Sequence, residues 1–176
     1  MFSLRNLFRS QPDPRDARRP LWNAVVATAR APHWYATGGV PDTLDGRFDM
    51  VSLVLALVLH RIDDDAAQAR AGVELTELFV TDMDGQMRQI GFGDMVVGKQ
   101  IGRMVSALGG RLGVYRAADG SEELRAALVR NLWRGNEPDA AGLAHVMAEV
   151  AKLRTALAAT PVAALIVADR LGGAAA

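Results

Sequence analysis

Four carboxylates, Asp42, Asp45, Asp82 and Asp84, are the residues most easily assembled into an acid-base pair, and His33, His60 and His145 are the ones that could carry a proton or a metal. Their spacing points to simpler roles. Asp42 and Asp45 fall at a helix start, where a short acidic side chain accepts hydrogen bonds from free first-turn amides. Asp82 and Asp84 fall late on a helix, and Asp84 with Arg88 four residues on is spaced for an ordinary helical ion pair. Asp82-Met83-Asp84-Gly85 opens like a calcium loop, but Met87 and Gly93 stand where that loop needs a glycine and a bidentate glutamate. Gly91-Phe92-Gly93 precedes a helix as a phosphate cradle does. It follows a helix rather than a strand, however, and lacks both the Gly-Lys-Ser/Thr ending and the third Rossmann glycine. The histidines are far apart in sequence, with no metal spacing and no adjacent nucleophile, so a core or surface role is expected of each. No catalytic, cofactor or metal residue is expected. The remaining polar set is cationic: Arg47 at a buried helix start, and Arg88, Lys99, Arg103 and Arg111 around a glycine-rich helix. These either neutralise an acidic segment or meet acidic loops of a client, ribosomal RNA or anionic lipid.

The elements that must position these groups read as helices. Half of the 176 residues are apolar, enough for one core, and no low-complexity linker divides the chain. Leu21 to Arg30 forms a first helix ended by Pro32. Arg47 to Ile62 forms a second, apolar nearly all round, which belongs in the middle of a bundle. The acidic Asp63-Asp64-Asp65 opens a third, with the stripe Ala71, Leu75, Leu78, Phe79, Met83, Met87 and Ile90, broken at Gly91-Phe92-Gly93. Asp94 is placed to cap a fourth, with Val97, Ile101, Met104, Val105, Leu108, Leu112 and Tyr115 inward. This helix also carries Gly98, Gly102, Gly109, Gly110 and Gly113, each costing about 1 kcal/mol relative to alanine. Gly98, Gly102 and Ser106 fall four apart, so another backbone can approach closely, from the same bundle or from a partner. A break at Gly109-Gly110 is the alternative. Ser121 to Trp133 and Ala140 to Ala159 complete the pattern, and Pro161 interrupts a further short helix. The expectation is an all-α, single-domain bundle of about six to seven helices over residues 20–170, with a flexible basic segment at 1–19 and a disordered tail at 171–176.

Composition removes other classes. There is no cysteine, hence no thiolate zinc site, iron-sulfur cluster or covalent haem, and a reducing compartment suits the chain. Charge is balanced overall but not along the chain: residues 1–34 carry +4, 35–86 carry −7, 87–134 carry +4 and 135–176 carry −1. Either the folded molecule is electrically polar or the acidic and basic parts face one another. A dedicated nucleic-acid binder would be strongly basic. The apolar runs Met50 to Leu59 and Thr155 to Ala168 fall short of the roughly 20 residues of a membrane span. The opening nine residues have no long signal core; Phe2, Leu4, Leu7 and Phe8 fit either a frayed end or an interfacial amphipathic turn.

Trp34-Tyr35, the run Val40-Pro41-Asp42-Thr43-Leu44-Asp45-Gly46-Arg47-Phe48, Asp82-Met83-Asp84 with Arg88, Gly91, Gly93 and Asp94, and Gly110-Arg111 with Tyr115 together resemble the ubiquinol-cytochrome c chaperone family, over about residues 20–135. The chain departs from that pattern at Gln89, where a glutamate is expected, and at Leu108-Gly109, where bulkier aromatics are expected. The resemblance implies a helical chaperone, not an enzyme, that engages newly made cytochrome b or its nascent chain, promotes assembly of complex III and leaves the mature complex. It implies no cofactor, a possible small helical partner, and peripheral contact with the inner membrane or ribosome. The motif residues then form an interaction surface: Arg47, Asp82, Arg88, Gly98, Lys99, Gly102, Arg103, Arg111 and Tyr115. Eighteen arginines against two lysines, and a short amino-terminal extension, favour a bacterial cytoplasmic protein beside the inner membrane over one of the mitochondrial matrix. A permanent structural subunit, or a small helical enzyme with a polar pocket, are the other classes that fit a bundle of this kind.

Overall fold

The computed structural model describes residues 13–91, 93–118 and 120–171, apart from the side chains of residues 94 and 95. The amino-terminal amphipathic turn and the capping role of the Asp94 side chain therefore lie outside the described residues, as does the tail beyond 171. Every regular element among the described residues is helical: α1 Arg19–Ala29, α2 Pro32–Ala36, α3 Leu44–Asp63, α4 Ala69–Gln89, α5 Asp94–Ala117, α6 Ser121–Leu132, α7 Ala140–Ala159 and α8 Val162–Leu165. Tight 3-10 turns at Pro14–Arg18 and Ala66–Gln68 lead into α1 and α4.

Helix α3 is the central element, packed by α1, α4, α5, α6 and α7. Met50 to Leu59 is buried on all sides, which is why this stretch has no polar face. Its cap differs from expectation. Thr43, not Asp42 or Asp45, accepts the first-turn amide, from Gly46 at 3.1 Å. The two aspartates turn instead to arginines, Asp42 to Arg47 at 2.6 Å and Asp45 to Arg134 at 3.0 Å. Gly46 is required because the Pro41 carbonyl lies where a Cβ would sit.

The acidic run at 63–65 closes α3 rather than opening α4; Asp65 accepts from the Ala67 amide at 3.0 Å and so caps the 3-10 turn. In α4 the expected stripe is buried through Met87, but Ile90 is 54% exposed because the helix ends there and the chain leaves through Gly91 at φ +94°. Helix α5 runs unbroken through Gly109-Gly110. At the end of α6, buried Trp133 donates its indole N–H to the Gly39 carbonyl at 2.9 Å, tying that helix to the loop before α3.

The basic parts of the chain fold onto the acidic middle. Arg18 pairs with Glu74 at 3.1 Å, Arg116 with Asp63, and Arg111 with Asp49. Other arginines close helix ends, where unpaired carbonyls carry partial negative charge. Arg154 donates to the Tyr115 and Ala118 carbonyls at the end of α5, and Arg61 to the Leu157 and Thr160 carbonyls at the end of α7. A planar guanidinium spans two carbonyls where an ammonium reaches as a point charge, which gives a structural reason for arginine at these places.

Candidate functional site

Helix α5 presents two unlike faces. Val97, Leu108 and Tyr115 are buried, and Ile101, Met104 and Leu112 are half-buried beside them. Val105, expected on the same stripe, is 39% exposed, because the helical repeat carries it past the core and toward solvent. On the outer face Gly98, Gly102, Ser106, Gly109 and Gly113 form a continuous exposed row. A Cβ added at any of these four glycines meets nothing within 4 Å. Of the two neighbours that so thin a face could serve, the one from the same bundle is therefore absent among the described residues. Among the described residues, no packing recovers the helix-propensity cost of the glycines.

Several hollows border α5, one of about 550 Å³ at its carboxyl end beside His60, Tyr115, Arg116 and Arg154. An apolar groove of about 770 Å³ lies between α4 and the carboxyl half of α5, floored by Leu59 and Gly72 and walled by Val73, Val80, Leu112 and Gly113. Arg15, Asp63, Glu77 and Arg116 stand around it. A smaller hollow of about 230 Å³ lies under the amino half of α5, lined by Phe48, Val51, Met83, Met87 and Met104, with Arg47 and Gln100 also contributing. Thioether side chains are flexible and fit changing contents.

The carboxyl half of α5 is fastened to α3 by a buried polar cluster that the sequence did not announce. Asp49, 1% exposed, accepts from the Arg111 guanidinium, which also lies 5.1 Å over the Phe48 ring. Arg134 approaches the same carboxylate at 3.7 Å from a left-handed backbone, φ +56°. Burial pushes the Asp49 carboxyl up, while Arg111 and Arg134 draw it down. Tyr115 lies beside this pair; burial drives its hydroxyl up to about 12, against the opposing pull of Asn131. His60 closes the contact, its Nε2 2.8 Å from the Leu112 carbonyl.

The residues expected to form one surface are thus divided. Gly98, Lys99, Gly102 and Arg103 lie together on the exposed side of α5. Arg47 is exposed, paired with Asp42, at the hollow beneath the same half of the helix. Arg88 is exposed at the last turn of α4 and pairs with Asp84 at 2.6 Å, as its spacing required. Asp82 is half-buried and accepts from Gln86 at 3.0 Å. Arg111 and Tyr115 point inward and hold α5 in place. His33 and His145, remote in sequence, meet at 3.0 Å. Among the described residues no group of three or more potential ligands is arranged to hold a metal, and no helix is long and apolar enough to cross a membrane.

Comparison with known proteins gives these features a context. Residues 36–171 match the family described as ubiquinol-cytochrome C chaperone. The crystal structure of the Cbp3 homolog from Brucella abortus is similar over 97% of this chain and 96% of that one, at 30% sequence identity and a TM-score of 0.77. No curated protein matches the chain in sequence.

Proposed function

The chain belongs to the ubiquinol-cytochrome c chaperone family, and from that premise we propose that it receives newly made cytochrome b on the outer face of α5 during assembly of complex III and releases it before the complex matures. The observation that carries the reading is the exposed row Gly98, Gly102, Gly109 and Gly113, which has no covering element among the described residues. A bare backbone face lets an apolar client helix come close enough for extensive van der Waals contact, which is how membrane helices associate. The neighbouring groove supplies apolar wall, and Lys99 and Arg103 stand beside the row to meet acidic loops of the client. No step of this work calls for a catalytic group. A small helical partner and contact with the inner membrane or ribosome fit the same reading, with the bacterial cytoplasm as the site of action.

Site-specific photo-crosslinkers at Gly102 and Val105, with one at Lys152 on α7 as control, test it in cells whose cytochrome b is pulse-labelled. Crosslinks from the α5 positions to labelled cytochrome b that fade during the chase are expected. Crosslinks that persist in the mature complex would make the protein a subunit; none from α5 would remove this face from the account.

A further inference from the structure

On the side of the molecule formed by α2 and α7, His33 Nδ1 and His145 Nε2 face each other at 3.0 Å, although 112 residues separate them. The rings stand edge to face at 77°, and each residue is half-buried. The backbone beneath them is closely packed: a Cβ on Gly142 would press on the Gly38 carbonyl, and one on Gly38 would meet the Val146 side chain. Glu149 lies one turn beyond His145 on α7, bound to Lys152 at 2.6 Å. The pair is a hydrogen bond between α2 and α7, and the α5 face does not use it.

We propose that His33 and His145 form a two-imidazole site for a divalent transition metal with tetragonal preference, Cu²⁺ or Ni²⁺. A metal about 2.0–2.1 Å from each nitrogen at the observed separation would subtend an angle of about 91–97°, whereas tetrahedral ligands would stand about 3.3 Å apart. Adjacent donors in a square plane stand at about this span, the geometry that Cu²⁺ and Ni²⁺ take with nitrogen and oxygen donors, and Cu²⁺ heads the affinity order for such sites. Metal entry replaces the hydrogen bond between the two nitrogens: the donating ring shifts its proton to its other nitrogen, and rotation about χ2, a torsion with a broad well, turns the freed lone pairs toward the ion. Water fills the other positions.

Titrating the full chain with Cu²⁺, Ni²⁺ and Zn²⁺ in separate experiments, with Cu²⁺ binding followed by electron paramagnetic resonance, tests the site without reference to chaperone activity. The expected result is one Cu²⁺ per chain showing hyperfine coupling to two imidazole nitrogens, with affinity in the order Cu²⁺, Ni²⁺ or Zn²⁺. His33→Asn and His145→Asn, each checked for native circular dichroism, should lose one coupled nitrogen and at least about tenfold in affinity. A wild-type spectrum without paired imidazole coupling overturns the site, whatever the variants do, as does unchanged binding in the folded double variant.

Discussion

At the scale of single residues, Asp49 decides how α5 is held. It is a buried carboxylate at the start of the apolar stretch of α3, so its charge is tolerable only with Arg111 beside it. Replacing Asp49 with Asn or Ala is expected to cost about 3–5 kcal/mol by stranding the guanidinium, and the Asp49→Leu, Arg111→Met pair should cost less than either single change. Urea denaturation of the three variants measures this. Asp49 stands one residue before the apolar run from Met50 to Leu59 and its partner lies 62 residues away, so nothing in the sequence joined them. Titration adds a second expectation. Burial holds His33 and His60 below the ordinary 6.5, so the unfolded chain takes up protons first and stability falls as pH drops from there through the folded values. Hydrogen bonds from Arg47, Arg70 and Lys152 hold Asp42, Glu74 and Glu149 below the carboxylate range. Their contribution is present above the unfolded values and is lost on further acidification. Asp49, raised by burial, works in the opposite sense. Urea midpoints between about pH 8 and pH 3 should therefore decline in two stages, and high salt should diminish the second more, since screening acts most on exposed pairs.

At the scale of elements, periodicity identified the buried sides of α3, α4 and most of α5, because apolar spacing records which face meets the core. It could not show that the glycine face of α5 meets nothing among the described residues, since a thin face looks the same whatever covers it. Nor could it place the cap of α3, where Thr43 and two aspartates competed within three residues. The open face makes a prediction about direction. Gly98→Ala and Gly102→Ala should each stabilise the isolated protein by about 0.5–1 kcal/mol, because both lie in exposed helix with room for a Cβ. The corresponding leucines should keep the fold yet weaken cytochrome b capture. Thermal unfolding paired with co-purification of labelled cytochrome b separates these effects. Arg154→Ala should destabilise by about 1.5–3 kcal/mol through two lost charged hydrogen bonds at the end of α5, and Arg154→Lys should restore little of it.

At the scale of the molecule, the uneven charge along the chain is largely consumed by folding, as the acidic middle collects arginines from both sides. The family run from Val40 to Phe48 then has a structural meaning. Thr43 caps α3, Gly46 admits the Pro41 carbonyl, Asp45 receives Arg134, and Phe48 lies under Arg111. Those residues secure the scaffold that presents α5, while the outward row holds glycines and Ser106, with Lys99 and Arg103 beside it. Membership in the ubiquinol-cytochrome c chaperone family joins this architecture to complex III, and the outer face of α5 is where we place the client. The most direct measurement is membrane haem b, read by reduced-minus-oxidised spectra together with a cytochrome b blot, in a deletion strain complemented by wild-type protein or by Gly98→Leu, Gly102→Leu. Deletion should remove cytochrome b while leaving other cytochromes, wild type should restore it, and the folded double variant should not. Normal cytochrome b in the deletion strain would contradict the assembly role, and full restoration by the variant would contradict the α5 face.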